Sequence, residues 1–402
     1  MKPAREADMF CIDCGKPNQD GAKFCFACGK TIGTAPALGV PAAVETQKQP
    51  GVLHSIGNRI SSLASTETLD GFSLTEFFSD VFKKRSKDDI DDYFVVGTTR
   101  TTPAIEEVST SWPKPWFFFR VLTFLALVYL GFYAAFEQFE NVRLIPGLIM
   151  MGSLAVPLAT VILFFELNVT RNVSFNRVLM LVASGGVVSL FVALVGFQVS
   201  NLDWLGASSA GIVEEIGKLL AVIIVVRSFR GKYILNGLLF GAAVGAGFAF
   251  FESAGYAFDY LESTNSLHVM FDIIQTRAFL TPFGHVAWTA IAAAALWRVK
   301  GERPFQFSML LDSAFLKTMA IPMLLHMLWN SPFQLPFELK HIAIGIVGWF
   351  VVFGLVQQGL HQIREEQSAI RLRSGITRVT AEPGPKVVQT VLAPVEVVVA
   401  EA

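Results

Sequence analysis

Two adjacent glutamates and a lysine interrupt an apolar stretch of helix length at residues 210–226. They are Glu214, Glu215 and Lys218. A charged side chain at the centre of a bilayer costs about 2.5–3.5 kcal/mol on insertion scales, so such residues are rare and usually serve a function. Helical spacing places Lys218 one turn from both glutamates, where one ammonium can interact with either carboxylate. The pattern therefore indicates acid–base or proton-relay chemistry, with a structural ion pair as the alternative.

Three later apolar stretches carry further polar side chains in pairs that lie one helical turn apart. These pairs are Glu252 with Tyr256, His285 with Thr289, and His326 with Asn330. The members of a pair lie on one face of their helix, so four helices can direct polar groups to a common point. A single membrane histidine is more often a satisfied hydrogen-bonding residue than a catalyst. Two histidines combined with three glutamates and a lysine favour a functional site.

The composition is that of a membrane protein with soluble ends. Of the 402 residues, 52% are hydrophobic and only 16% are charged, and the mean hydropathy is +0.50. These values lie outside the range of ordinary soluble domains. The net charge of −1 provides no global basic field, so we expect no nucleic-acid partner. The N-terminus has no signal-peptide pattern, and the first apolar run follows Trp112, which predicts that the chain starts in the cytosol.

Eight apolar stretches are each long enough to span a bilayer or nearly so. They cover residues 116–136, 144–166, 178–199, 209–226, 234–258, 279–298, 307–331 and 342–360. The sequence therefore predicts an all-α polytopic membrane protein, a bundle of about eight transmembrane helices. Most basic residues of the connecting segments fall on one side, which the positive-inside rule assigns to the cytosol. This predicts a multi-pass plasma-membrane protein with both termini in the cytosol and the polar cluster in the outer half of the bilayer.

All four cysteines lie within the first thirty residues, in two C-x2-C pairs. They are Cys11, Cys14, Cys25 and Cys28. Paired C-x2-C motifs supply four thiolates for one tetrahedral zinc ion, and so short a module has no adequate core without the metal. Disulfides are the alternative, and a reducing cytosol disfavours them. The pattern predicts a zinc ribbon with structural Zn(II), which could recruit a cytosolic protein partner.

The sequence divides into five segments. These are a zinc ribbon at 1–30, a flexible linker at 31–72, a juxtamembrane region at 73–114, a membrane domain at 115–360, and a largely disordered cytosolic tail at 361–402. Ser73 and Glu76 form a capping-box pattern, which predicts a short amphipathic helix ending in a basic run. That helix could lie on the inner membrane surface or pack against a partner.

The polar motifs resemble those of the PrsW family of intramembrane proteases, which is distantly similar to the CAAX prenyl proteases. The resemblance covers roughly residues 115–360 and rests on three blocks in order. These blocks are Glu214-Glu215-x-x-Lys218, Phe251-Glu252-x-x-x-Tyr256, and the two membrane histidines. CAAX-like relatives instead have Glu-Glu-x-x-x-Arg and Phe-x-x-x-His, so Lys218 comes one residue early and Thr281 replaces the phenylalanine. The last block, His-x-x-x-Asn, is matched by His326 and Asn330.

The resemblance implies hydrolysis of peptide bonds in single-span regulatory membrane proteins, such as anti-sigma factors. It identifies seven candidate catalytic residues: Glu214, Glu215, Lys218, Glu252, His285, His326 and Asn330. A glutamate in apolar surroundings can act as general base on a water molecule, and a histidine can share the proton transfer. Asn330 with the other histidine can hold the developing oxyanion.

Whether the membrane site holds a metal stays open at this level. Two histidines and a glutamate form a plausible zinc triad. The His-Glu-x-x-His pattern of helical zinc sites is absent, and Lys218 beside the glutamates opposes a nearby divalent cation. We therefore favour a metal-free glutamate and histidine mechanism.

Two other classes of protein are compatible with the sequence. Buried glutamate, histidine and lysine also form proton relays in transporters and channels, although the chain shows no internal repeat of the kind common in transporters. An inactive membrane sensor or scaffold that uses the zinc ribbon for recruitment is the third interpretation.

Overall fold

The computed structural model describes the short strands β1 (Met9–Phe10) and β2 (Pro17–Asn18), and then residues 52–69, 71–227, 229 and 231–380. The two strands pair in antiparallel fashion, with Met9 opposite Asn18. They belong to a unit comprising residues 1–50, separate from the unit formed by residues 51–402. The four cysteines predicted to bind zinc lie outside the described residues.

Twelve α-helices follow in the described part of the chain. They are α1 (Val52–Leu63), α2 (Leu74–Phe77), α3 (Lys87–Asp91), α4 (Phe117–Phe139), α5 (Ile145–Leu167), α6 (Phe175–Val199), α7 (Ala210–Val226), α8 (Ile234–Thr264), α9 (Leu267–Leu280), α10 (His285–Lys300), α11 (Ser313–Trp329) and α12 (Leu339–Thr380). Short 3-10 helices cover Asp92–Phe94, Ile105–Glu107, Val142–Leu144, Asp203–Ser209, Thr281–Phe283, Phe307–Leu311 and Pro336–Glu338.

The predicted all-α membrane fold is confirmed, and each of the eight apolar stretches contains a helix of the structure. Six helical segments in the described residues are long and apolar enough to cross a membrane. They are Phe117–Phe139, Val142–Leu167, Phe175–Val199, Ile234–Thr264, Leu267–Lys300 and Pro336–Arg373. The other two helices, α7 and α11, have 17 residues each. They are short because Arg227 follows the first and the capping Asp312 precedes the second.

Helix α8 lies at the centre of the membrane domain because small residues let its neighbours approach closely. A Cβ atom built on Gly245 would lie 2.5 Å from the carbonyl oxygen of His285, and one on Gly241 would lie 2.2 Å from that of Thr289. On the other side, a Cβ on Gly247 would lie 2.0 Å from the carbonyl oxygen of Val182 in α6. Small residues are the usual means by which membrane helices pack backbone to backbone. This contact brings the start of α10 against the middle of α8.

The structure differs from the predicted segments on both sides of the membrane domain. Helix α1 lies within the predicted linker, and the turn that follows it packs against the membrane helices. Arg298 Nη1 donates to the Ser65 carbonyl at 2.7 Å, and Thr318 Oγ1 donates to the Ala64 carbonyl at 3.0 Å. These hydrogen bonds explain why this part of the predicted linker is structured, although its composition suggested a flexible connection.

The helix predicted to begin at Ser73 is a single turn. The Glu76 N–H donates to the Ser73 side chain at 3.4 Å, and the helix ends at Phe77, whose side chain is buried. At the other end of the chain, α12 continues to Thr380 through much of the predicted tail. Gln367 donates from Nε2 to the carbonyls of Ile105 and Val108, at 2.7 and 2.8 Å, so the juxtamembrane region holds this part of the helix.

Candidate active site

Helix α7 supplies three ionisable side chains that are almost completely buried. Glu214 is 7% exposed, and Glu215 and Lys218 are 0% exposed. Lys218 Nζ lies 2.6 Å from Glu215 Oε1 and 3.7 Å from Glu214 Oε2. Burial of charge at this depth is costly unless each group has partners of opposite charge. The i to i+3 and i to i+4 spacing predicted from the sequence supplies this pairing.

Helix α11 adds His326, which lies against both glutamates. Its Nδ1 lies 2.8 Å from Glu215 Oε1, and its Nε2 lies 3.9 Å from Glu214 Oε2. The imidazole stacks on the Trp288 ring with centroids 4.6 Å apart. The hydrogen bond to Glu215 assigns the proton to Nδ1, which leaves the lone pair of Nε2 on the side of Glu214.

The second histidine, His285, begins α10 and is held in the same manner. Its Nε2 lies 3.0 Å from Glu252 Oε2, and its Nδ1 lies 2.8 Å from Lys218 Nζ. The rings of His285 and His326 are 5.0 Å apart between centroids. Both imidazoles therefore have a carboxylate on one nitrogen and direct the other nitrogen towards the α7 cluster. A carboxylate that orients a histidine in this way is the usual support of a metal ligand or a catalytic base.

The sequence analysis did not identify Arg277 of α9 as part of this site. Its guanidinium donates to Glu252 Oε2 from Nη2 and to Ser253 Oγ from Nε at 2.9 Å. It also lies over the Tyr256 ring, 4.4 Å from the centroid. The sequence contained one signal, because Arg277 is among the few basic residues on the outer side of the predicted topology. A cation that close to a membrane glutamate could have been assigned as its partner.

We expect Arg277→Met to lower kcat/KM about 10- to 100-fold, the usual cost of removing an outer partner of a functional histidine. The reason is that Glu252 would lose its hydrogen bond from Arg277, which helps to keep the carboxylate in contact with His285. Arg277→Lys should recover part of the loss, because lysine restores the positive charge but lacks the forked set of donors of the guanidinium. The measurement is the steady-state rate of the peptide hydrolysis that the resemblance implies, with Arg143→Met on the α4–α5 connection as control. Equal activity of Arg277→Met and wild type would contradict this role.

Asn330 does not join the cluster. It caps α11, and its backbone N–H donates to the His326 carbonyl at 3.1 Å. Within the described part of the chain, no hydrogen bond of its side chain to a cluster residue is found. Thr289, the partner predicted for His285, is buried, and its hydroxyl has no hydrogen-bond partner among the described residues.

Three of these residues have the composition and spacing of a metal site. Among the described residues, Glu214, His285 and His326 each offer one ligand atom, and these atoms lie within 4.8 Å of one another. Glu214 Oε2 is buried and accepts no hydrogen bond from the described residues. Two imidazoles and one carboxylate form a ligand set that zinc takes in hydrolases, with further positions open. The residues present therefore fit a divalent metal ion.

The fold and this cluster define a polytopic membrane protein with a buried glutamate and histidine site of the hydrolytic kind. A comparison with protein families matches residues 140–356, more than half of the chain, to the PrsW family intramembrane metalloprotease. The chain belongs to the PrsW family and is a membrane protease. Residues 10–32, which include all four cysteines, match a zinc-ribbon domain. Neither the search of curated proteins nor that of solved structures found a match.

Proposed function

We propose that the protein is a metal-dependent endopeptidase that cleaves single-span regulatory proteins, of the anti-sigma-factor kind, in or beside the outer half of the plasma membrane. The observation that carries the proposal is the convergence of His285 and His326 on Glu214, each with a carboxylate behind it. The uneven distribution of basic residues supports the outer position of the site and a cytosolic location of both termini.

Each ionisable residue of the cluster has a separate part in this proposal. Glu214, His285 and His326 would hold the metal, and Glu215 and Glu252 fix the two imidazoles. A divalent ion at this position supplies Lewis acidity and lowers the pKa of a water molecule towards neutrality. Glu215 Oε2 has no hydrogen-bond partner among the described residues, and we assign to it the acceptance of a proton from water. Lys218 keeps the Glu215 carboxylate in place through Oε1.

The second candidate is the metal-free mechanism favoured by the sequence, and one contact supports it. Lys218 Nζ lies 2.8 Å from His285 Nδ1, the nitrogen that Glu252 leaves free. An ammonium at this point already supplies a cation between His285 and the glutamates. In this case Glu214 is the general base and the histidines donate protons or hydrogen bonds.

Metal analysis of a variant comprising residues 31–402 distinguishes the two mechanisms, because it removes the metal of the zinc ribbon. We expect one equivalent of metal per chain, loss of that metal in His326→Ala, and cleavage that a chelator abolishes and zinc restores. We also expect this variant to keep measurable cleavage of a free substrate, because the ribbon serves structure or recruitment. Cleavage by metal-free protein would establish the glutamate mechanism. Absence of turnover in the metal-loaded full-length protein, with several single-span substrates, would refute proteolysis.

A further inference from the structure

A cavity of about 230 Å³ lies directly beside His285. It is lined by residues of α8, α9, α10, α11 and α12 and of the short segments between them, and its lining includes Gly284 and His285. A group bound in this cavity therefore contacts the residue that we assign to the reaction. The cavity shares His285 and Arg277 with the site described above, whereas the α7 residues of that site are not part of its lining.

Several polar side chains of the lining are already engaged with other protein groups. Arg277 donates to Glu252 and Ser253. Thr281 Oγ1 donates to the Arg277 carbonyl at 2.7 Å, and His341 Nδ1 is bonded to Glu338. A charged ligand would have to compete with these bonds for Arg277, Thr281 and His341.

Most of the remaining surface of the lining is apolar and aromatic. Trp288 and Trp329 meet edge to face, with centroids 5.3 Å apart and an interplanar angle of 85°. Ala249 and Leu280 add aliphatic surface. The Trp288 indole nitrogen is buried without a hydrogen-bond partner among the described residues, and it lies 3.9 Å from the position that a Cβ on Gly348 of α12 would take. Thr276 and Glu338 add polar groups to the lining, and these four residues add hydrocarbon and ring faces: Ala249, Leu280, Trp288 and Trp329.

We propose that this cavity is the subsite for one large apolar or aromatic side chain of the substrate, at the residue next to the cleaved bond. This inference rests on the proposed function. The size is adequate, because an apolar cavity of about 150 Å³ is enough to bind benzene. Insertion of a leucine, methionine or phenylalanine side chain places the adjoining peptide bond at His285.

The first test measures cleavage of one membrane-anchored substrate in which the residues around the cleaved bond are varied. We expect one position at which leucine or phenylalanine is preferred over alanine by about 10- to 200-fold in kcat/KM, the range that an apolar pocket gives. Thr276, an exposed residue of α9 at the cavity, provides the blocking variant Thr276→Trp. This variant should remove the preference for a large side chain and retain cleavage of the alanine substrate.

The matched control is Thr264→Trp, which places the same side chain at an exposed position at the end of α8, outside the cavity lining. It should leave the preference unchanged. Equal cleavage of all substrates by wild type, or an unchanged preference in Thr276→Trp, would refute the subsite and leave the protease assignment intact.

A second measurement does not depend on turnover. A substrate peptide with photoreactive benzoylphenylalanine at the preferred position should crosslink to the segments that carry Thr276 and Trp329, and Thr276→Trp should suppress these crosslinks. Crosslinks elsewhere would refute the subsite. Crosslinks in the cavity without any cleavage would support the subsite and contradict the proposed reaction.

Discussion

Glu214→Gln should lower kcat/KM by about 10²- to 10⁴-fold while the protein keeps its fold, because the proposed metal loses a ligand or, in the metal-free mechanism, the general base is lost. Glu214 lies against both His326 and Lys218, yet its Oε2 accepts no hydrogen bond from the described residues. Glutamine preserves the volume of the side chain and removes only the charge and the ligand oxygen. The packing around α7 therefore has little reason to change.

The measurement is cleavage of a single-span substrate, together with the unfolding temperature of each variant in detergent. Glu262→Gln is a suitable control, because Glu262 is an exposed glutamate near the C-terminal end of α8. We expect the control to cleave at the wild-type rate. Wild-type cleavage by Glu214→Gln, Glu215→Gln and His326→Ala would show that the cluster does not carry the reaction.

Lys218→Met is expected to have the largest effect on stability, with a loss of about 3–5 kcal/mol in the free energy of unfolding. Lys218 is 0% exposed and lies 2.6 Å from Glu215 Oε1 and 2.8 Å from His285 Nδ1. Methionine has a similar length but no charge. Glu215 would then be a buried carboxylate without its cation, and removal of one partner of a buried ion pair is strongly destabilising.

Two further variants separate the loss of charge pairing from a packing effect. Lys340→Met removes a second buried lysine and should cost less, because its Nζ bonds, among the described residues, to the carbonyls of Trp329 and Ser331 at 2.8 and 3.1 Å and to no carboxylate. In the double variant Lys218→Met with Glu215→Gln, the unpaired charge is also removed, so part of the stability should return. Chemical denaturation in mixed micelles measures all four proteins. A Lys218→Met protein as stable as wild type would mean that Glu215 is not held ionised by this lysine.

The sequence by itself determined the class of fold and the residues of one helix face. Continuous apolar runs can only be satisfied as helices in a bilayer, since each backbone hydrogen bond is then made within its own segment. The period of 3.6 residues fixes which side chains on one helix are neighbours, so the contact of Lys218 with both glutamates followed from spacing alone. The motifs that resemble the PrsW family are short for the same reason, because the helical period relates only residues that are close together on one helix.

Only the tertiary structure decided which groups meet across helices. Glu215 faces His326 because Gly211 lets α7 and α11 approach closely, and Glu252 faces His285 because Gly245 does the same for α8 and α10. No single-helix period encodes these distances. Arg277 completes the site from a helix that carried no motif, whereas the Asn330 side chain has no hydrogen bond to the cluster among the described residues. The cavity beside His285 likewise exists only where five helices come together, since such space depends on how whole elements pack.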